Sequence, residues 1–205
     1  MLSKWAGQCP ECREWNTVNE IRAESGPGGR FSGYSGRLSN EVKDLSAVGD
    51  TVVERMAVGV GELDRVLGGG IVPGSVILLG GDPGIGKSTL LLQLTAALAD
   101  RFPGLYVTGE ESLEQIGMRG RRLELSMDGI RCLTETSIEQ ILGHADKEKP
   151  RLLIVDSIQT VYTESLTSAP GSVSQIRESA AALVRWAKEN HCCVVLVGHV
   201  TKEGS

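Results

Sequence analysis

Apolar residues along this 205-residue chain gather in short blocks separated by amphipathic stretches. Ser75–Gly80 (SVILLG), Leu105–Thr108, Leu152–Val155 and Cys193–Gly198 have strand length and little polar alternation, as in strands covered on both faces. Ile130–Leu133 is a further strand candidate. Helical patterns lie between them. Lys87–Asp100 is rich in Leu and Ala. Leu113–Leu125 is helical in pattern, although Gly117 and Gly120 disfavour a helix interior. Ser137–Lys147 opens with Ser137 and Gln140 three apart, the spacing of a capping box. Ser174–Asn190 completes the set. This alternation predicts an α/β fold, with a mostly parallel sheet and helices on both faces. Ligands of such sheets bind beyond the carboxyl ends of the strands.

Before residue 51 the texture differs. Residues 21–50 are rich in Gly, Ser and Arg, as in Gly26-Pro27-Gly28-Gly29-Arg30, and read as a flexible linker. Residues 1–20 hold two tryptophans and Cys9-Pro10-Glu11-Cys12. The core is expected over 51–205. Net charge is −5, so no broad basic footprint marks the chain as a nucleic-acid binder, and any such binding must be local. Arg119, Arg121 and Arg122 form the densest basic spot and read as a solvated helix face. The odd cysteine count and the adjacent Cys192–Cys193 do not look like a disulfide framework, which favours a reducing cytoplasm. No apolar run is long enough to span a membrane, and no signal pattern opens the chain.

The strongest chemical signal is Gly81-Asp82-Pro83-Gly84-Ile85-Gly86-Lys87-Ser88, a complete phosphate-loop pattern between a predicted strand and a predicted helix. Its glycines let backbone N–H groups turn inward around phosphates, and the helix aims its positive end at them. Lys87 is expected to reach the β- and γ-phosphates. Ser88 would ligand Mg²⁺, and Thr89 adds an α-phosphate contact. ATP and Mg²⁺ are therefore the expected ligands. Asp156, at the tip of the strand Leu152–Val155, is the expected second Mg²⁺ holder. Glu110 and Glu111 follow the strand Leu105–Thr108. Either carboxylate could orient or deprotonate an attacking water, Glu110 being nearer the strand end; a solvated acidic loop is the plain alternative. His199 follows the strand Cys193–Gly198, where a polar side chain could sense a γ-phosphate or be incidental.

Taken together the motifs resemble the bacterial RadA/Sms family, a branch of the RecA-like ATPases of recombinational DNA repair. The resemblance runs through Lys4–Cys12, Trp15-Asn16-Thr17, Glu62–Gly70, Val72-Pro73-Gly74, the phosphate loop, Tyr106–Ser112, Asp156-Ser157-Ile158-Gln159, Pro170–Val173 and Gly198–Ser205. It implies a RecA-like core in which the strand of Glu110 lies beside that of Asp156. It gives Glu110 the water-activating role, with Glu111 in reserve, and makes His199 a γ-phosphate sensor. It assigns Tyr162–Ser174, whose composition suits a mobile loop, to the first DNA-facing loop. It further implies rings of like subunits acting on single-stranded DNA and recombination intermediates during branch migration.

Two departures shape the expectations. The family carries a four-cysteine zinc module, and only Cys9 and Cys12 stand here. From the residues the pair reads as half a zinc site, a redox pair or an inert pair; the family context favours the first. Two thiolates do not complete a tetrahedral site, so Zn²⁺ is expected only if further ligands are supplied. The family's downstream Lys-Asn-Arg-Phe-Gly motif and Lon-like domain do not occur, so the core is read as incomplete at its C-terminal end. The expected function is a DNA-stimulated ATPase. A nucleotide-binding module without turnover, or a RecA-like ATPase of another branch, is the alternative.

Overall fold

The computed structural model describes residues 55–199, together with Val42, Asp44 and Ser46. Residues 1–20, expected to be zinc-ribbon-like, lie outside the described residues, as do Cys9, Cys12, most of the 21–50 linker and the tail after His199.

The apolar blocks form strands β1 (Val76–Gly81), β2 (Gly104–Thr108), β3 (Arg131–Thr134), β4 (Leu152–Asp156) and β5 (Cys193–His199). They make one five-stranded sheet in the order β1-β5-β4-β2-β3. Every neighbouring pair is parallel. Helices α2 (Lys87–Leu98), α3 (Leu113–Arg122), α4 (Ile138–Glu148) and α5 (Val173–Glu189) connect the strands. A short helix α1 (Gly61–Val66) precedes β1.

Period-two alternation divides each central strand between two cores. Leu105, Val107, Leu153, Val155, Val194 and Leu196 pack with Ile138, Ile141, Leu183 and Trp186 from α4 and α5. Tyr106, Leu152, Ile154, Cys193, Val195 and Val197 pack with Leu91, Leu92, Leu94 and Leu98 of α2 and Ile116 of α3. The helices thus sit on both faces, and β2 and β4 are buried along their whole length. This is why those strands read as unbroken apolar runs.

Several local expectations change. Ser137 accepts from the Gln140 N–H at 3.5 Å, but its own N–H donates to Glu135 Oε1 at 2.9 Å, so the box there is half-formed. The complete box belongs to α3, where Ser112 and Gln115 cap each other. The helix expected over Leu113–Leu125 stops at Arg122. Gly120 within it has a packing reason: a Cβ there would stand 2.2 Å from Met127 Sδ. Helix α1 was not anticipated. Asp64 holds it in place by accepting the Val58 and Gly59 N–H groups at 2.7 and 2.9 Å.

The segment expected to be a mobile loop, Tyr162–Ser174, is tied down at its start. Buried Gln175 accepts the Thr163 N–H at 2.8 Å and donates through Nε2 to the carbonyls of Thr163, Leu166 and Ser168. Thr163 Oγ1 also donates to Glu139 at 2.5 Å. Four-fold engagement of one amide satisfies backbone groups that no strand or helix pairs.

Candidate nucleotide site

The loop between β1 and α2 needs glycine for geometric reasons. Gly84 and Gly86 have φ of 81° and 99°, a region that side chains with a Cβ disfavour. Nothing lies within 4 Å of where their Cβ atoms would stand, whereas one on Gly81 would meet Ile85 Cδ1 at 2.4 Å. The result is an open, backbone-lined cradle at the start of α2, whose first N–H groups have no intrahelical partner. Asp82, Pro83, Gly84, Ile85 and Gly86 are exposed; Ser88 and Thr89, in the first turn of α2, are half-buried.

Lys87 is only 7% exposed. Its Nζ donates to the carbonyls of Gly81 and Asp82, both at 2.8 Å, and lies 3.4 Å from His199 Nδ1. No carboxylate among the described residues pairs with it. A buried ammonium without an anion is costly unless a ligand supplies the charge. The cradle and this cation fit a polyphosphate.

Sheet register brings the other candidates to the same edge. Gly81 of β1 pairs with His199 of β5, and Thr108 of β2 with Asp156 of β4. Gly109 continues the ladder by donating to the Asp156 carbonyl at 3.0 Å. A Cβ on Gly109 would stand 2.2 Å from Thr160 Oγ1. Only glycine lets the turn after β2 pass this close, and that passage sets where Glu110 begins.

Glu110 and Glu111 then diverge. Glu110 Oε1 accepts from Ser157 Oγ and lies 3.3 Å from His199 Nε2. Glu111 instead forms an ion pair with Arg119 of α3. Since the Lys87 ammonium can only donate, the tautomer that satisfies both contacts has Nδ1 as the acceptor and Nε2–H directed toward Glu110. Lys87, His199, Glu110 and Ser157 thereby form one continuous polar chain across four strand ends.

Asp156 is 6% exposed and receives the Tyr106 hydroxyl on Oδ2 at 2.5 Å. Burial, and then the Asp156 charge, push the Tyr106 phenol far above its usual range, so it remains a donor. Among the described residues no cluster of three or more His, Cys, Asp or Glu side chains could hold a metal ion. The donor set suited to Mg²⁺ is the hydroxyl of Ser88 with the carboxylate of Asp156, hard oxygens that leave room for water and phosphate.

Sequence reasoning gave no separate role to Tyr106, Ser157 or Arg119, although the first two lie within quoted motifs. A phenol amid an apolar strand was the available signal, since a buried tyrosine hydroxyl seeks a partner. Nothing local flagged Ser157, and Arg119 stood out only as part of a basic spot read as a solvated helix face. The Arg119–Arg121–Arg122 spot also divides: Arg121 and Arg122 are exposed, whereas Arg119 is half-buried and its Nη1 has no partner among the described residues.

Residues 43–205 match the AAA domain family, and residues 1–20 match the rubredoxin metal binding domain. The DNA repair protein RadA of Pseudomonas aeruginosa is 56% identical over 98% of this chain and 45% of its own length. That of Haemophilus influenzae is 50% identical over 100% of this chain and 45% of its own. The chain belongs to the AAA-domain family, on its RadA branch. It spans about half the length of the curated relatives it matches. Membership implies nucleotide and Mg²⁺ use. A solved KaiC-like protein, PH0186 from Pyrococcus horikoshii, shares the fold with a TM-score of 0.62 at 22% identity, over 75% of this chain and 74% of that one. The match at residues 1–20 brings a metal-binding family to the segment of Cys9 and Cys12. Among the described residues no helix is long and apolar enough to cross a membrane.

Proposed function

We propose that this chain is the nucleotide-hydrolysing core of a DNA repair ATPase and cleaves the β–γ bond of ATP. The observation that carries this reading is Lys87, a buried cation with no carboxylate partner among the described residues, at the mouth of a glycine cradle and linked through His199 to Glu110.

In the proposed mechanism, the cradle's N–H groups and the start of α2 bind the phosphates. Lys87 leaves the Gly81 and Asp82 carbonyls for the β- and γ-phosphate oxygens and balances charge developing there. A water attacks the γ-phosphorus in line; its proton passes to Glu110 as the bridging P–O bond breaks, and the electron pair departs on ADP. Ser88 and Asp156 would hold Mg²⁺, which supplies Lewis-acid stabilisation of the phosphate oxygens. Tyr106 fixes the Asp156 carboxylate. His199 senses the γ-phosphate because Lys87 can satisfy either the imidazole or the phosphate.

Single-stranded DNA and recombination intermediates are the proposed polymer substrates, with Tyr162–Ser174 facing DNA and branch migration as the task. A ring of like subunits in the cytoplasm is the proposed working form. Cys9 and Cys12 would contribute to a Zn²⁺ site if further ligands join them. The residues proposed as domains remain 1–20, 21–50 and 51–205.

Steady-state ATP hydrolysis with Mg²⁺, with and without single-stranded DNA, tests the reading, using Lys87→Ala as the blank. DNA-stimulated turnover that disappears in the blank supports it. Nucleotide binding without turnover would reduce the chain to a binding module, and turnover indifferent to DNA would point to another RecA-like branch.

A further inference from the structure

The carboxylate of Glu110 is engaged on one side only. Both of its contacts with the described residues, from Ser157 Oγ and His199 Nε2, fall on Oε1. Oε2 has no partner among them, and the side chain is 40% exposed. Ser157 itself is 0% exposed and lies directly after β4. Its carbonyl accepts from the Thr160 hydroxyl at 2.8 Å and from the Thr160 N–H at 3.2 Å. The following residue is anchored too, because the Ile158 N–H donates to the Val197 carbonyl of β5 at 2.9 Å. Ser157 is therefore a rigid donor, fixed from two strands, that grips one oxygen of an otherwise solvent-facing carboxylate.

We propose that Ser157 is a positioning residue for ATP hydrolysis: its hydroxyl clamps Glu110 Oε1 so that Oε2 is presented to the attacking water. This rests on the reading of Glu110 as the group that takes the water's proton. His199 cannot replace the clamp, since its contact with Oε1 is longer and its ring also meets Lys87 through Nδ1, a contact that ends when the incoming phosphate draws Lys87 away. Ser157 keeps the carboxylate in one orientation through that change. A free glutamate at this exposure would sample several rotamers, and few of them place an oxygen within hydrogen-bond reach of an in-line water.

The test compares the intact chain with Ser157→Ala, Ser157→Thr and Glu110→Gln in Mg²⁺-ATP hydrolysis. Ser157→Ala should lower kcat about tenfold, the scale of one charge-assisted hydrogen bond, with KM within about twofold. Ser157→Thr, which keeps the hydroxyl, should restore most of the loss. A second readout does not need turnover: aluminium fluoride tightens Mg²⁺-ADP binding by mimicking the transition state. Ser157→Ala should weaken that ternary complex about tenfold while Mg²⁺-ADP alone binds as before. An unchanged kcat and ternary complex, or an equal loss of Mg²⁺-ADP affinity, would overturn the proposal. Failure of Thr to rescue would do the same. Continued turnover by Glu110→Gln would instead sink the reading of Glu110, whatever Ser157 does. If the chain does not turn ATP over, the aluminium fluoride comparison decides alone.

Discussion

Lys87 rests on carbonyl oxygens five and six positions away in its own loop, whereas Glu110 is gripped by residues forty-seven and eighty-nine positions away. The first region is a local object: glycine conformations, a helix start and one lysine define it. The second exists only because β5, β4 and β2 lie side by side in register. The contrast teaches where each function is vulnerable. Binding should survive small disturbances of the sheet, because the cradle carries its own geometry. Turnover should not, because the angle between water and carboxylate depends on three strands agreeing.

The sharpest break between the regions comes from two single changes. Lys87→Ala should abolish measurable ATP binding by calorimetry, since it removes the one buried cation of the cradle. Glu110→Gln should leave ATP affinity within about twofold and lower kcat by about 10²–10⁴, the usual worth of a positioned general base. Glu111→Gln should do far less, because Glu111 is committed to Arg119. Comparable losses for both glutamates would erase the distinction drawn between them.

Tyr106→Phe comes next. It strips the buried Asp156 carboxylate of its hydroxyl donor without changing ring volume, and should destabilise the fold by about 1–3 kcal/mol in urea unfolding. An unchanged midpoint would mean that water replaces the phenol. Arg119→Ala should cost less, about 1 kcal/mol or under, since the Glu111 pair is partly solvent-screened. Its informative readout is kcat: a fall would show that the Glu111 pair helps to place the turn bearing Glu110.

The smallest effect concerns the cysteines. Burial, helped by the Cys193 thiol beside it, pushes Cys192 up to about 12 from an ordinary 9.0. The unfolded thiol therefore loses its proton first. Stability attached to the neutral thiol is complete below about pH 9 and declines as pH rises toward 12. Cys192→Ala should flatten that part of the alkaline stability profile. In the native protein Cys192 and Cys193 should react slowly with a thiol reagent at pH 8, and Cys132, which is half-buried, faster.

Much of this architecture could be read in advance, for a reason visible in particular residues. Leu152–Val155 and Cys193–Gly198 are apolar throughout because both faces of the sheet are covered, so strand identity and parallel order came together. Cap assignments were less legible. Ser137 and Ser112 have the same Gln three residues on, yet Glu135 intercepts the Ser137 N–H whereas that of Ser112 donates to Gln115. The gentle composition of Tyr162–Ser174 suggested mobility, while Gln175, outside the segment, ties down its start.

What the sequence determined alone was the chemistry that neighbouring residues complete between them: the phosphate loop, the strand and helix blocks, and the acids at strand tips. Tertiary structure decided which acid faces the site. Glu110 and Glu111 are adjacent and chemically alike; Gly109 squeezing past Thr160, Arg119 reaching back from α3, and Ser157 held beside β5 separate them. Those partners lie from 8 to 51 positions away, as the residue numbers show. No local pattern encodes such a choice, because it is made by which side chains the sheet register brings within hydrogen-bond reach.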